Sequence, residues 1–112
     1  MQYRPIKEKG KFAKWLDDLD KRSGVYLIRK KACVGFHCQM LYVGESHTGR
    51  LKQTLMRHFQ HWKGPTAGYH TDAAGVEVAT VRCPASQAVE LQNALIEEHR
   101  PRYNTQGKPD EK

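Results

Sequence analysis

Two short apolar segments, each with a tyrosine and a glycine in a fixed tripeptide order, most constrain how this chain folds. The first is Gly24–Ile28 (Gly-Val-Tyr-Leu-Ile) and the second is Met40–Gly44 (Met-Leu-Tyr-Val-Gly). Aromatic and β-branched residues favour strands, and segments this short are typical of strands rather than helices. The residues between them form a connection with a glycine at Gly35. We therefore predict a hairpin that brings Tyr26 and Tyr42 to one site on neighbouring strands.

The spacing of apolar residues predicts the other elements. In chain order we expect an amphipathic helix at about 11–20, strands at about 25–30 and 40–44, a helix at about 50–62, a strand at about 76–81 and a helix at about 84–99. The order α-β-β-α-β-α contains a hairpin and no regular βαβ alternation. It indicates an α+β fold in which helices flank a small three-stranded antiparallel sheet. Residues 1–104 are expected to form one domain, followed by a polar, disordered tail at 105–112.

The charge balance favours a polyanionic partner. The chain has 19 basic and 12 acidic residues, a formal charge of +7 and a pI near 9.5. Release of counterions from phosphates would supply much of the affinity for such a partner. The alternative is a soluble protein that is merely basic. The sequence shows neither an apolar signal segment nor a run long enough to span a bilayer, so we expect a cytoplasmic protein without a membrane partner.

Three cysteines, Cys33, Cys38 and Cys83, are expected to be free thiols in a reducing compartment. A zinc site that combines them with His37 is not expected, because there is no C-x2-C pair. His37 and Cys38 are adjacent on what we interpret as an entering strand, and adjacent strand residues point to opposite faces.

One face of the middle helix is basic. Arginines, histidines and a threonine recur at helical spacing, namely Arg50, Thr54, Arg57, His58 and His61. Arginine binds phosphate oxygens bidentately and histidine titrates near neutral pH, so both suit phosphoryl chemistry. We expect nucleic-acid contacts from Arg50, Lys52, Arg57, His61 and Lys63. The alternative is an ordinary solvated charged face.

Gln92 is the unusual residue of the last helix, because it lies inside the apolar stripe between Val89 and Ile96. A buried amide costs on the order of 1–3 kcal/mol unless its polar atoms form hydrogen bonds. Gln92 is therefore either a core glutamine with satisfied hydrogen bonds or a residue that lines a pocket.

Taken in order, these features resemble the GIY-YIG nuclease superfamily over about residues 23–104. The matching elements are Gly24-Val25-Tyr26, Tyr42-Val43-Gly44, a basic helix that ends in Arg57-His58-Phe59, and Leu95–Asn104. Each element is weak evidence alone, but the ordered set is specific. The last of them also looks like the end of this module in the incision subunits of nucleotide excision repair.

The resemblance implies roles for individual residues. Tyr26 would activate the attacking water, directly or through a neighbour, and Tyr42 would orient water and phosphate. His58 would accept a proton on the nucleophile side. Structural support would come from Gly24, Gly44, Thr54 and Asn104. The family also uses one divalent metal, magnesium (Mg2+) or manganese (Mn2+), to neutralise developing charge.

Two positions depart from the family pattern. The family's arginine falls on Thr54, and its metal-binding glutamate falls on Gln92, a neutral amide that is a poor ligand for magnesium. Arg50, one turn before Thr54 on the same face, is expected to contact the same phosphate. Glu45 is the remaining carboxylate that could hold the metal with Gln92; alternatively, it is an exposed turn residue or a partner of Arg50.

Two functions follow from this pattern. The first is an endonuclease that hydrolyses DNA phosphodiester bonds with a rearranged active site. The second is an inactive nucleic-acid-binding module on the same fold. A weaker third interpretation is a protein-interaction adaptor that uses Trp15 and Trp62, although both are more simply core residues. We expect substrate selectivity to be slight, or to come from a homodimer or a separate specificity partner.

Overall fold

The computed structural model describes residues 2–31, 40–60, 76–101 and 104. The elements are β1 (Arg4–Pro5), β2 (Lys7–Glu8), β3 (Lys11–Phe12), a 3₁₀ helix (Lys14–Leu19), β4 (Gly24–Lys30), β5 (Met40–Ser46), α1 (Leu51–Gln60), β6 (Val76–Arg82) and α2 (Ala85–His99). The expectations for Cys33, His37, Cys38, His61, Trp62, Lys63 and the tail fall outside the described residues. Within those residues, no helix is long and apolar enough to cross a membrane.

The main sheet of the described chain is antiparallel, with the strand order β1-β6-β4-β5. β4 lies between β5 and β6 and pairs with both along its length. The predicted α+β class, with an antiparallel sheet flanked by helices, is confirmed. The structure adds the two-residue β1, which pairs Arg4 with Val78, and a small β2–β3 hairpin. Such short strands carry too few residues to show an alternating pattern in the sequence.

The amphipathic segment near the N-terminus is shorter and tighter than the predicted helix at about 11–20. Lys11–Phe12 belong to β3, and only Lys14–Leu19 are helical, in the 3₁₀ form. Leu16 and Leu19 are buried, while the Trp15 indole donates a hydrogen bond from Nε1 to the Pro5 carbonyl at 2.8 Å. Six residues make fewer than two α-helical turns, so packing against the core holds this segment rather than helix propensity.

The two long helices pack on opposite faces of the sheet. α1 contributes Leu51, Leu55 and Phe59 to a cluster that includes Tyr26 and Ile28. α2 contributes Leu95, with Leu91 and Ile96 at its margin, to a second cluster on the other face, which contains Val25, Leu27 and Val43. Alternation along β4 explains this division, because successive strand residues point to opposite faces.

An irregularity in β5 allows two successive residues to reach the α1 face. Ile28 pairs with Tyr42 but Arg29 pairs with Met40, so Leu41 is an extra residue on β5. Leu41 is buried in the cluster beneath α1, and Tyr42 packs against that same cluster. A bulge of this kind inserts one residue and redirects the side chains around it.

Candidate functional site

Three aromatic rings from three elements meet on the α1 face of the sheet. Tyr26 lies on β4, Tyr42 on β5 and His58 in the last turns of α1. The ring centroids are 6.1 Å apart for Tyr26 and Tyr42, 5.9 Å for Tyr26 and His58, and 4.8 Å for Tyr42 and His58. The structure therefore places the two phenols and the imidazole predicted from the sequence in one cluster, called here the ring cluster.

The glycines of the two tripeptides allow the strands to approach closely around the ring cluster. Gly44 lies opposite Tyr26, and a Cβ atom on Gly44 would be 2.4 Å from both Cζ and Oη of that tyrosine. Gly24 has φ +155°, and a Cβ there would be 2.2 Å from the Val81 carbonyl oxygen. The Tyr26 ring therefore lies across the bare backbone of Gly44, a position that a side chain would occupy.

Burial is the main cause of the raised pKa values of the two phenols. It raises the pKa of Tyr26 far above the usual value for tyrosine, with smaller contributions from Tyr42 and from the negative charge of Glu45. Burial and then Glu45 also raise the pKa of Tyr42. Both phenols are therefore protonated at neutral pH in this structure, so each can donate a hydrogen bond or pass on a proton.

Asn104 closes the outer edge of β5 beside the second tripeptide. Its Oδ1 accepts a hydrogen bond from the Val43 amide at 2.6 Å, and its Nδ2 donates to the Val43 carbonyl at 2.9 Å. The side-chain amide thus takes the place of a neighbouring strand. The turn after α2 leads toward this contact: Arg100 adopts φ 47° and donates its amide hydrogen to the Ile96 carbonyl at 2.8 Å, and Pro101 is fully buried.

The start of α1 is fixed by a serine that the sequence interpretation did not single out. Ser46 is 4% exposed, and its Oγ accepts the Arg50 amide hydrogen at 3.2 Å. The first helical bond then runs from the Thr54 amide to the Arg50 carbonyl at 2.8 Å. Arg50 and Thr54 therefore lie one turn apart, as predicted, with Arg50 exposed and Thr54 half-buried. Serine shortly before a helix was the sequence signal for Ser46.

The other predicted basic contacts on α1 differ in availability. Arg57 is exposed, whereas Lys52 Nζ donates a hydrogen bond to Oδ1 of Asp17 in the 3₁₀ helix at 2.7 Å. The Asp17 side chain is 72% exposed, so water and salt compete with this pair.

The two candidate metal ligands are associated with the face opposite the ring cluster. Glu45 pairs with Val25, whose side chain packs on the α2 face, but its negative charge still acts on both Tyr26 and Tyr42. It is partnered by His47, with Nδ1–Oε1 and Nδ1–Oε2 distances of 3.0 and 3.3 Å, and not by Arg50. Gln92 is half-buried on α2. β5 also extends through Ser46 instead of ending at Gly44, so Glu45 is a strand residue and not a turn residue.

Comparison with known proteins gives one informative similarity. No family model matches the chain. The chain is similar to a UvrABC system protein C from Hydrogenovibrio crunogenus (strain DSM 25203 / XCL-2), with 35% identity over 92 residues. The match covers 80% of this chain but only 14% of that protein. The chain thus corresponds in length to a small part of its relative.

Proposed function

We propose that this chain is a GIY-YIG-type endonuclease domain that hydrolyses DNA phosphodiester bonds with a rearranged active site. The observation that carries the proposal is the ring cluster, in which two phenols and an imidazole from separate elements converge beside a basic helix. The similarity to a UvrABC system protein C and the formal charge of +7 support the same class of function.

In the proposed reaction, Tyr26 and His58 remove the proton from the attacking water. A phenol with a raised pKa is a poor direct base, so a relay fits better than an ionised tyrosine. The water passes its proton to the Tyr26 oxygen as the phenol proton moves to the imidazole. Tyr42 donates a hydrogen bond to a phosphate oxygen, and the exposed Arg50 side chain neutralises charge on the same phosphate.

The described residues do not match a preformed magnesium site. No group of three or more His, Cys, Asp or Glu side chains converges in the described ranges. Gln92 would supply a neutral amide, and the Glu45 carboxylate already pairs with His47. Magnesium is usually held by one or two carboxylates together with substrate phosphates, so this donor set is weaker than the reaction normally requires.

The test is a nicking assay on supercoiled plasmid in magnesium, in manganese and in EDTA. We expect the wild type to nick the plasmid and Tyr26→Phe to lose most of the activity, because the relay oxygen is removed. Tyr3→Phe is the matched control: Tyr3 packs against the Arg29 guanidinium, 3.6 Å from its ring centroid, outside the ring cluster. Absence of nicking by the wild type, or equal nicking by both variants, would overturn the proposed mechanism.

A second candidate is an inactive nucleic-acid-binding module, and the residues at 54 and 92 favour it. Loss of an arginine and of a metal-binding carboxylate can each remove several kcal/mol of transition-state stabilisation. This candidate predicts salt-sensitive DNA binding without hydrolysis, and little change in affinity on adding magnesium. Activity that appears only in Thr54→Arg/Gln92→Glu would favour the binding module over the native enzyme.

A further inference from the structure

A second basic surface lies at one end of the main sheet, outside the ring cluster. Here a cleft of about 450 Å³ separates the segment before β4 from the segment between β6 and α2. We call it the basic cleft; it is lined by Lys21, Arg22, Ser23, Arg82, Cys83, Pro84 and Ala85. No acidic residue lines it, although the chain as a whole contains 12.

The three cations of the basic cleft are free to bind a ligand. Lys21, Arg22 and Arg82 are all exposed. In the described part of the chain, the ion pairs involve Arg29, His47, Lys52 and His99 as the cationic partners. None involves the cations of the cleft. Three unneutralised cations around one concave surface create a positive potential that attracts an anion.

Hydrogen bonds join the two sides of the basic cleft to each other and to the start of α1. The Ser23 carbonyl accepts the Cys83 amide hydrogen at 3.1 Å, and Ser23 Oγ accepts the Gly49 amide hydrogen at 3.0 Å. The Arg22 carbonyl accepts the Leu51 amide hydrogen at 2.9 Å. These bonds join the cleft to the start of α1, so the cations are presented by a fixed framework and a bound anion would require little reorganisation.

The basic cleft lies close to the ring cluster along β4. Gly24 pairs with Arg82 on one side and with Ser46 on the other. Tyr26 follows two residues along β4, a distance of about 7 Å at the usual strand rise. A nucleic-acid strand in a duplex places a phosphate about every 3.4 Å along the axis. One strand can therefore present one phosphate to the ring cluster, where Tyr42 and His58 are half-buried, and another to the cleft.

We propose that the basic cleft binds backbone phosphates of a nucleic-acid strand whose neighbouring phosphate lies at the ring cluster. The inference rests on the proposed function for its partner, a nucleic acid, but not on hydrolysis. A single strand is sufficient, because both proposed contacts are to the backbone phosphates of one strand.

The first experiment measures binding of a fluorescein-labelled single-stranded 20-mer by anisotropy in EDTA, across a series of salt concentrations. Arg22→Gln/Arg82→Gln should reduce the slope of log affinity against log salt by about 1.4, since each lost phosphate contact on a single strand removes about 0.7. The matched control is Lys9→Gln/Lys11→Gln, which removes the same charge from exposed positions outside the cleft. Circular dichroism and thermal melting verify that both variants fold, and the single variant Arg82→Gln should lose about half of the effect.

The second experiment uses Cys83 as a local probe. In a Cys33→Ser/Cys38→Ser background, saturating oligonucleotide should slow modification of Cys83 by a thiol reagent. Protection should disappear in the cleft variant at the same oligonucleotide concentration. Equal protection by polyglutamate would overturn the choice of a nucleic acid, and absence of protection would overturn the site.

The outcomes separate this inference from the proposed catalysis. If the wild type binds nucleic acid without nicking plasmid, and the cleft variant shows a reduced salt slope, the cleft is supported and the endonuclease is refuted. Nicking with identical slopes for the cleft and control variants would retain the endonuclease and refute the cleft. A wild type that binds no nucleic acid would refute both.

Discussion

The contact between Gly44 and Tyr26 gives the sharpest test of the site geometry. Replacing Gly44 by alanine adds a single carbon, which would lie 2.4 Å from Cζ and Oη of the phenol and 2.8 Å from Cε1. Favourable carbon–carbon contacts require about 3.5–4.0 Å, so the ring must move by about 1 Å or more. Tyr26 is only 3% exposed, and rings on two sides restrict such a movement.

The expected cost of Gly44→Ala follows from this displacement. Overpacking a well-filled core typically costs about 1–3 kcal/mol. The backbone at Gly44 lies outside the left-handed region, so alanine adds no backbone strain and gains about 0.4–1 kcal/mol from a more restricted unfolded chain. We therefore expect the free energy of unfolding to fall by about 1–2 kcal/mol, and the nicking rate to fall because the phenol is displaced from His58.

Urea denaturation followed by tryptophan fluorescence and circular dichroism measures this change. With an m-value of about 2 kcal/mol per molar, the midpoint should fall by about 0.5–1 M. A double-mutant cycle with Tyr26→Leu identifies the cause, because removal of the phenol ring should abolish the cost of alanine at Gly44. If Gly44→Ala destabilises the protein equally in both backgrounds, the phenol does not lie across Gly44 and the reasoning fails.

Three further predictions concern residues around the site. Asn104→Ala should lower the free energy of unfolding by about 1–2 kcal/mol in the same denaturation assay, because both hydrogen bonds to Val43 are lost; an unchanged midpoint would contradict the edge-closing contact. The unfolded chain should release the Tyr26 proton above about pH 10 while the folded chain retains it, so stability should fall by up to about 1.4 kcal/mol per pH unit from there upward. Tyr26→Phe should lose stability less steeply than the wild type in that range, and parallel profiles would refute the raised pKa. Asp17→Asn should release Lys52 for phosphate contacts and steepen the salt dependence of DNA binding by up to about 1 in slope, whereas an unchanged slope would show that Lys52 lies outside the DNA interface.

The sequence predicted best those elements whose spacing of apolar residues matches the residues that are buried in the structure. β4, β6 and α2 have long apolar patterns, and their observed bounds lie within about two residues of the predicted ones. The N-terminal segment was harder to predict. Its apolar spacing matches an α-helix, but the extended pairing of Lys11–Phe12 leaves only a 3₁₀ segment. Lys11–Phe12 pair with Lys7–Glu8 in a local hairpin, and two-residue strands are too short for apolar periodicity to reveal.

For the site, the sequence predicted that Tyr26 and Tyr42 converge, but it did not predict the irregularity in β5 that accompanies their pairing. Tyr26 and Tyr42 meet because a bulge at Leu41 sets the register between β4 and β5. A shift of one residue would have moved a whole strand's side chains to the other face. The basic cleft was also missed, because its cations come from Lys21–Arg22 and Arg82, segments that are remote in the sequence and carry no motif.

Thr54 and Gln92, the two positions that depart from the GIY-YIG pattern, are associated with opposite faces of the sheet. Thr54 belongs to α1, on the same side as the ring cluster, whereas Gln92 belongs to α2, which packs against the opposite face. Their side chains therefore lack a common partner in the core. The stability changes from Thr54→Arg and Gln92→Glu should add to within about 0.5 kcal/mol. Under the proposed endonuclease mechanism the effects on nicking should couple, because both residues would act on one substrate phosphate at the end of the sheet where Glu45 lies. Additive stability with strongly coupled nicking rates would therefore place the substrate at that end, whereas additivity in both measurements would indicate that the two faces act separately.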